Sequence, residues 1–409
     1  MSATRADVLY VTYDGLLEPL GASQVLPYVR YLSRKGVSLE ILSFEKPEAD
    51  RGERRVHLER SLAAEGIGWT GLRYHRAPTL PATAWDVLVG RKEVGRWATA
   101  LRRQGRRGLV HARGYLPGLM GMAGKARGAK LLFDMRGFWV DERIQGGYWA
   151  PDGINARIGR WVERRVLRGA DHLIVLTRKS IQRLEALTGA SPPPHAVVPT
   201  CVDLDRFVPA ADPGALREHL GIGAGPVLMH VGTLSGWYDG RATLEIARAF
   251  VDRTGGSFVV LSRDGDEVRR LSAEVGLDPV VRFVQPEEVH RWLQAADAGL
   301  ALPRPSPSED ARFPTKIGEY LACGLAVLAT PIGDLPDLSD PRCLRLLGPG
   351  TDRSEDVGWL ARIVTDPARP VAARALAEAR LGVAEGGDTL LGVYASLGVG
   401  RRGAGEHLP

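Results

Sequence analysis

Cysteine is scarce in this 409-residue chain: there are three, Cys201, Cys323 and Cys343, odd in number and far apart. So small and scattered a set excludes a disulfide framework and a cysteine-based metal site, and it points to a reducing compartment. Long apolar runs are missing as well. None reaches the roughly 18 residues of a membrane span, and the N-terminus has no signal-peptide core. The expected location is the cytoplasm, with peripheral attachment at the inner membrane face as the variant. No Gly-x-Gly-x-x-Gly fingerprint follows the first apolar run, which weighs against a dehydrogenase or epimerase with tandem dinucleotide-binding domains. Lysine is rare, so the 54 basic residues are mostly arginine, and they exceed the acidic ones by six. That mild excess suits anionic ligands or membrane surfaces; without a recognised binding module it makes no case for nucleic acid.

What is present is a globular composition, 44% hydrophobic and 25% charged, on a length that calls for two domains of roughly 200 residues each. Strand-like apolar runs are expected at 7–13, 38–44, 67–74, 109–112, 129–133, 172–176 and 195–198. Amphipathic helical patterns at 24–35, 51–65, 84–104, 115–127 and 154–168 fall between them. A proline-rich zone, Pro192 to Pro199, breaks the alternation and sets a boundary near residue 200. Strands then resume at 226–231, 257–261, 280–284, 298–302 and 325–330. After about residue 372 two helical segments remain, too few for a third domain. Repeated βαβ units with short links imply an α/β fold with parallel sheets covered by helices on both faces.

Ligands of such sheets sit beyond the carboxyl ends of the strands. The richest stretch of that kind is Pro303 to Thr330, which leaves one apolar strand, crosses a Pro/Ser/Asp-rich loop and enters a short helix at about 314–322. Thr315 and Lys316 lie beside that helix's unpaired N–H groups, and Lys316 and Glu319 share a face as either a ligand-facing or a solvated pair. His230 to Gly236 leaves a strand into a small-residue loop, with Gly232 and Thr233 placed for close approach to a diphosphate, and Arg263 follows the next strand. In the first half, Gly21-Ala22-Ser23 at a helix start suits a phosphate, or is a capped helix with a glycine for packing. His111 and Arg113 end the fourth strand; Asp134 and Arg136, alternating after the fifth, aim the same way as an ion pair or as ligand contacts. Trp139, with Tyr148 and Trp149, covers a sugar face or fills a local core.

Taken in order, GASQ, FDMRGFW, VLTRKS, VPTCVDLDRF, HVGTL and FPTKIGEYLACGLAVLAT resemble the retaining glycosyltransferases of family 4 over nearly the whole chain. The resemblance implies the GT-B fold, with two Rossmann-like domains facing across a cleft. Residues 1–200 would take the acceptor side and 201–375 the donor side; the helices of 376–409 would pack back on the first domain, with a frayed tail from Gly398. It implies transfer of a sugar from a UDP-, GDP- or dTDP-sugar to a glycan, lipid-linked or small-molecule acceptor, without metal or further cofactor. Glu319 falls on the glutamate that holds the donor ribose, and Gly21 and Ala22 on the glycine-rich loop near the donor phosphates. His111 falls on a histidine close to the donor sugar, and Val284 where backbone groups hold the base. His111, Arg136 and Lys316 are the expected catalytic residues, Gly232, Thr233, Arg263 and Thr315 further donor contacts, Arg113 and Trp139 acceptor contacts.

Three departures stand out. Ala311 replaces a glutamate expected eight positions before Glu319, with Glu309 or Asp310 as stand-ins. Thr233 and Asp239 occupy the slots of a basic pair, leaving Lys316, Arg263 and Arg136 to meet the diphosphate, and Arg113 replaces the second histidine of a His-x-His pattern. These departures keep a catalytically impaired sugar-nucleotide or glycan-binding relative as the alternative. Lastly, Arg91, Lys92, Arg96, Arg102, Arg103, Arg106 and Arg107, interleaved with Val94, Trp97, Ala98 and Leu101, form a basic amphipathic segment that either docks on anionic lipid or is a solvated face.

Overall fold

Short runs of Val, Leu, Ile and Ala, bounded by glycine and polar turns, form two parallel sheets in the computed structural model, which describes residues 6–49, 52–189, 191–350 and 352–399. The tail expected to fray from Gly398 falls, past Val399, outside them. The first sheet contains β1 (Val8–Thr12), β2 (Leu39–Glu45), β3 (Gly68–Arg73), β4 (Leu109–Arg113), β5 (Lys130–Asp134), β6 (His172–Val175) and β7 (His195–Val197), in the order β3-β2-β1-β4-β5-β6-β7. The second contains β8 (Val227–Val231), β9 (Ser257–Leu261), β10 (Val280–Arg282), β11 (Ala298–Ala301), β12 (Ala326–Ala329) and β13 (Leu344–Leu346), in the order β10-β9-β8-β11-β12-β13. Every residue of β1, β4, β11 and β12 is buried. Burying one Val or Leu side chain contributes about 1.5–3 kcal/mol, and these central runs therefore fix the register. Each chain walks outward from its first strand and then returns past it, so the order reverses between β1 and β4 and again between β8 and β11. Those switch points are where open α/β sheets form ligand sites.

The described residues divide into two compact units, Thr200–Gly382 and the remainder on either side of it. Of the two C-terminal helices, Arg369–Arg380 stays with the second unit, whereas the expectation had everything from residue 376 on the first. Arginine anchors explain the difference. Arg369 donates to the carbonyls of Gly324 and Val364 and pairs with Asp297, and Arg374 donates to the carbonyls of Leu204, Phe207 and Ala322. Val383–Ser396 joins the first unit and packs on the helix Leu26–Arg34, where Gly386 and Gly387 leave room for Tyr28 and Tyr31 and Tyr31 donates to Asp388 at 2.8 Å.

Several short elements lie outside the periodic sequence pattern: β13 and the helices Trp139–Gln145, Pro213–Leu220 and Ser354–Ile363. The strand expected over 280–284 stops at Arg282, so Val284 lies two residues beyond it. Among the described residues no helix is long and apolar enough to cross a membrane.

Candidate active site

In the first unit the site grows from the switch point. Parallel pairing sets Tyr10 beside His111 and Arg113 beside Asp134, so the last residues of β1, β4 and β5 converge. Asp134, buried, faces three nitrogens: His111 Nε2 at 3.5 Å, Arg113 Nη1 at 3.5 Å and Arg136 Nε at 3.2 Å. Burial alone would raise its carboxyl pKa, but Arg136, His111 and Arg113 together hold it well below the usual carboxylate range. Tyr394, from the last helix, lies 2.7 Å from His111 Nδ1. With Tyr394 donating to Nδ1, Nε2 carries the proton toward Asp134, and burial keeps the imidazole neutral by lowering its pKa. Arg113 donates to Gln24 and lies 3.9 Å from Asp14. Several buried polar atoms in the cluster have no hydrogen-bond partner among the described residues: His111 Nε2, Arg113 Nε and Nη1, Arg136 Nε and Nη1, and Asp134 Oδ1. Open guanidinium and imidazole donors beside the Asp134 carboxylate are a combination suited to an anionic or hydroxyl-rich ligand.

Gly21 and Ala22 do not form the open helix start that the sequence suggests. The helix has already begun, Ala22 N–H donates to the Glu18 carbonyl at 2.9 Å, and Gly21–Val25 is a π-helical turn leading into Leu26–Arg34. Gly21 is needed for packing, since a Cβ there would meet the carbonyl of Gly15 and come within 2.7 Å of Leu16 Cα. The N–H groups that turn toward an anion in this loop belong to Leu16 and Leu17, and the buried Glu45 carboxylate already accepts from both, at 2.8 and 3.3 Å. Trp139 stacks on Tyr115 with centroids 6.0 Å apart and meets Trp149 edge-on at 5.1 Å, so it belongs to a local aromatic cluster.

In the second unit Lys316 and Glu319 stand on the helix Thr315–Ala322, entered through Pro314 as its N-cap. Lys316 Nζ is buried, has no hydrogen-bond partner among the described residues, and sits 3.8 Å from the Tyr238 ring centroid. It would stand 3.6 Å from a Cβ placed on Gly232, the residue that leaves β8 with φ +109°. The ammonium is thus aimed at the glycine loop, whose positive φ favours a residue without a side chain. Burial lowers the Lys316 pKa to about 7, with Glu319 opposing, and burial raises that of Glu319 to about 7, with Arg206 and Lys316 opposing. His230 pins the loop from beneath, its ring nitrogens facing the carbonyls of Thr233 at 3.0 Å and Leu300 at 3.3 Å. Burial and the nearby Lys316 hold it neutral, with a pKa of about 3.

The departures from the family pattern acquire physical reasons here. Thr233 Oγ1 is 2.9 Å from Ser235 Oγ and accepts from the Ser235 N–H, closing the turn on itself. Asp239 caps the helix Gly240–Thr254 by accepting from the Ala242 N–H at 3.1 Å, so an acid fits where a base was expected. Ala311 is fully buried, and Glu309 is buried and paired with Arg312 at 2.9 Å, which in turn lies over Trp237. Glu309 is therefore held by Arg312. Arg263 is exposed and lies over Phe283, and Val284 is half-buried beyond β10. Missed from sequence were Tyr10, Gln24 and Tyr394 in the first unit and Tyr238 and Arg206 in the second. Gln24, in the GASQ motif, and Arg206, in the VPTCVDLDRF motif, carried a signal; Arg206 donates to the Pro286 carbonyl in the turn after β10.

Two parallel-sheet, Rossmann-like units, each with polar groups gathered at its switch point, define the GT-B class of glycosyltransferases. The chain belongs to the family 4, group 1 glycosyltransferases: residues 21–201 match the "Glycosyl transferase 4-like domain" and residues 225–360 match "Glycosyl transferases group 1". It is similar to D-inositol 3-phosphate glycosyltransferase 1 of Catenulispora acidiphila, at 29% identity over 75% of this chain and 76% of that one. Further relatives of the same description are spanned over 42% to 66% of their own length. Among solved structures it resembles sucrose-phosphate synthase from Thermosynechococcus elongatus, with 20% identity, 96% of this chain and 99% of that one covered, and a TM-score of 0.68. It also resembles Anabaena HepE in complex with UDP, with 17% identity, 95% and 100% covered, and a TM-score of 0.67.

Proposed function

We propose that this glycosyltransferase moves a sugar from a nucleoside-diphosphate donor to an acceptor hydroxyl with retention at the anomeric carbon and without a metal ion. The observation that carries the donor assignment is the Lys316 ammonium, buried without a hydrogen-bond partner among the described residues and aimed at the Gly232 loop, with Glu319 one turn along the same helix. Lys316 takes the charge of the departing diphosphate and Glu319 accepts from the ribose hydroxyls. The HepE structure contains UDP, which favours UDP-sugars as the donors to try first. On the first unit, His111 Nε2 and the open donors of Arg113 and Arg136 receive polar groups of the sugar and acceptor; two guanidiniums with unpartnered nitrogens favour an acceptor that carries a phosphate. The name of the Catenulispora relative supports the same class.

As the bond from the anomeric carbon to the phosphate oxygen breaks, negative charge builds on the diphosphate and the sugar gains oxocarbenium character. A desolvated cation already in place stabilises that charge without reorganisation, which is the main catalytic contribution. The acceptor oxygen attacks the same face that the phosphate leaves, and its proton passes to the departing phosphate oxygen. NMR of the product formed from an α-linked donor checks the stereochemistry: an α-linkage is expected, and a β-linkage overturns the retaining assignment. Undiminished turnover in EDTA is expected for metal independence. Glu319→Ala should raise the donor KM at least several-fold, whereas an unchanged donor KM removes Glu319 from the ribose.

A further inference from the structure

The helix Ile154–Gly169 buries one face and exposes the other. Inward lie Ala156, Gly159, Val162, Val166 and Leu167, together with Glu163, the helix's one acid, which accepts from the Val140 N–H and pairs with Arg160. Outward stand Ile154, Ile158 and Trp161, 63%, 45% and 55% exposed, at helical spacing and flanked by the exposed Arg157, Arg164 and Arg165. They line an open groove on the surface with Pro151, and Tyr148, just before the helix, is 68% exposed. No acidic side chain lies on the outward face.

The basic segment singled out in the sequence behaves differently. Its interleaved Val94, Trp97, Ala98 and Leu101 are buried in the first unit's core, so it has charge outside but no apolar residue there to insert. Its helix, Thr79–Arg103, exposes Leu80, Trp85 and Leu88 only near its start. The helix Tyr115–Lys125 separates the two, with Gly90 against Met120 on one side and Gly118 against Val166 on the other. Each of these helices returns from the carboxyl edge of the parallel sheet, so both exposed apolar groups lie toward that edge, the end where the His111–Asp134 cluster sits.

We propose that the outward face of Ile154–Gly169 docks the protein on an anionic lipid bilayer, with Ile154, Ile158 and Trp161 entering the interfacial region and Arg157, Arg164 and Arg165 meeting headgroup phosphates. Arginine stems lie along apolar surface while their guanidiniums reach the phosphate plane, and tryptophan favours that depth. Charge complementarity selects the partner. A second copy of this face would set arginines against arginines, whereas an anionic surface attracts each of them. This docking stands on the surface alone and does not depend on the donor or acceptor assignments.

Sedimentation of the full chain with vesicles tests it. Pelleting is expected with phosphatidylcholine vesicles containing phosphatidylglycerol, not with phosphatidylcholine alone, and it should weaken as salt rises. Arg157→Glu with Arg164→Glu should lower the bound fraction by at least roughly ten-fold. Ile158→Ser with Trp161→Ser should also release the protein, while Arg269→Glu, an exposed charge on the second unit, should leave binding unchanged. All these positions are at the surface, and thermal melts confirm that the variants fold. Absence of pelleting with the anionic vesicles overturns the proposal, as does equal binding by parent and both double variants. A lipid-free dimer that dissociates on Ile158→Ser with Trp161→Ser also overturns it, by assigning the face to a second copy.

Discussion

At Asp134 one carboxylate holds three nitrogen groups in place, and its removal would leave the half-buried Arg136 without its ion-pair partner and the buried Arg113 with only Asp14, 3.9 Å away. Breaking one side of such a buried set costs about 3–5 kcal/mol, so Asp134→Asn should lose stability of that order in urea unfolding, far more than a surface Asp→Asn change. Because the folded-state pKa of Asp134 lies below its unfolded value, its contribution is complete above the ordinary carboxylate range of about 4 and is lost as pH falls below it. The parent's stability should therefore drop more steeply in acid than the variant's. Lys316 and Glu319 set a second pH dependence. Lys316 is a cation below about pH 7 and Glu319 an anion above it, and the proposed donor contacts call for both charged forms. The donor kcat/KM should be bell-shaped around neutrality, Lys316→Met removing the alkaline fall and Glu319→Gln the acid fall. A flat profile in the parent would remove the pair from donor binding. Of these residues His111, Lys316 and Glu319 were legible as motif positions. Tyr394, 283 positions from His111, was not, because no local pattern encodes a contact across that separation.

The elements show the same division. Strands with strong apolar runs, such as β1 and β9, follow the sequence pattern closely, because burial on both faces demands an unbroken run. The π-helical turn at Gly21–Val25 has no such signature, since it arises from the fit between the Gly15–Leu17 loop, fixed by Glu45, and the helix behind it. Gly21→Ala would drive a methyl group into the Gly15 carbonyl, and neither backbone can retreat while Glu45 holds Leu16 and Leu17. The expected loss is about 1–3 kcal/mol, read from thermal unfolding, with activity falling beyond what stability explains. An unchanged melt would mean that the loop can move.

For the whole molecule, the nucleotide assignment to the second unit is tested by thermal shift. A nucleoside diphosphate at a hundred times its Kd adds about 2.7 kcal/mol, and UDP should raise the midpoint where inorganic phosphate does not. Lys316→Met should abolish that shift and His111→Ala should keep it, because the two residues belong to different units. Loss of the shift in His111→Ala alone would reverse the assignment. The sequence by itself determined the α/β alternation, the break near residue 200 and the family, because apolar period, glycine stops and short motifs are local and act on neighbours. Only the tertiary structure decided that Asp239 is a helix cap and Glu309 a partner of Arg312, that Trp97 faces the core while Trp161 faces outward, and that Tyr394 closes the His111 site. Each of those outcomes depends on which distant side chain competes for a charge, a hydrogen bond or a cavity, and that competition exists only once the chain has packed.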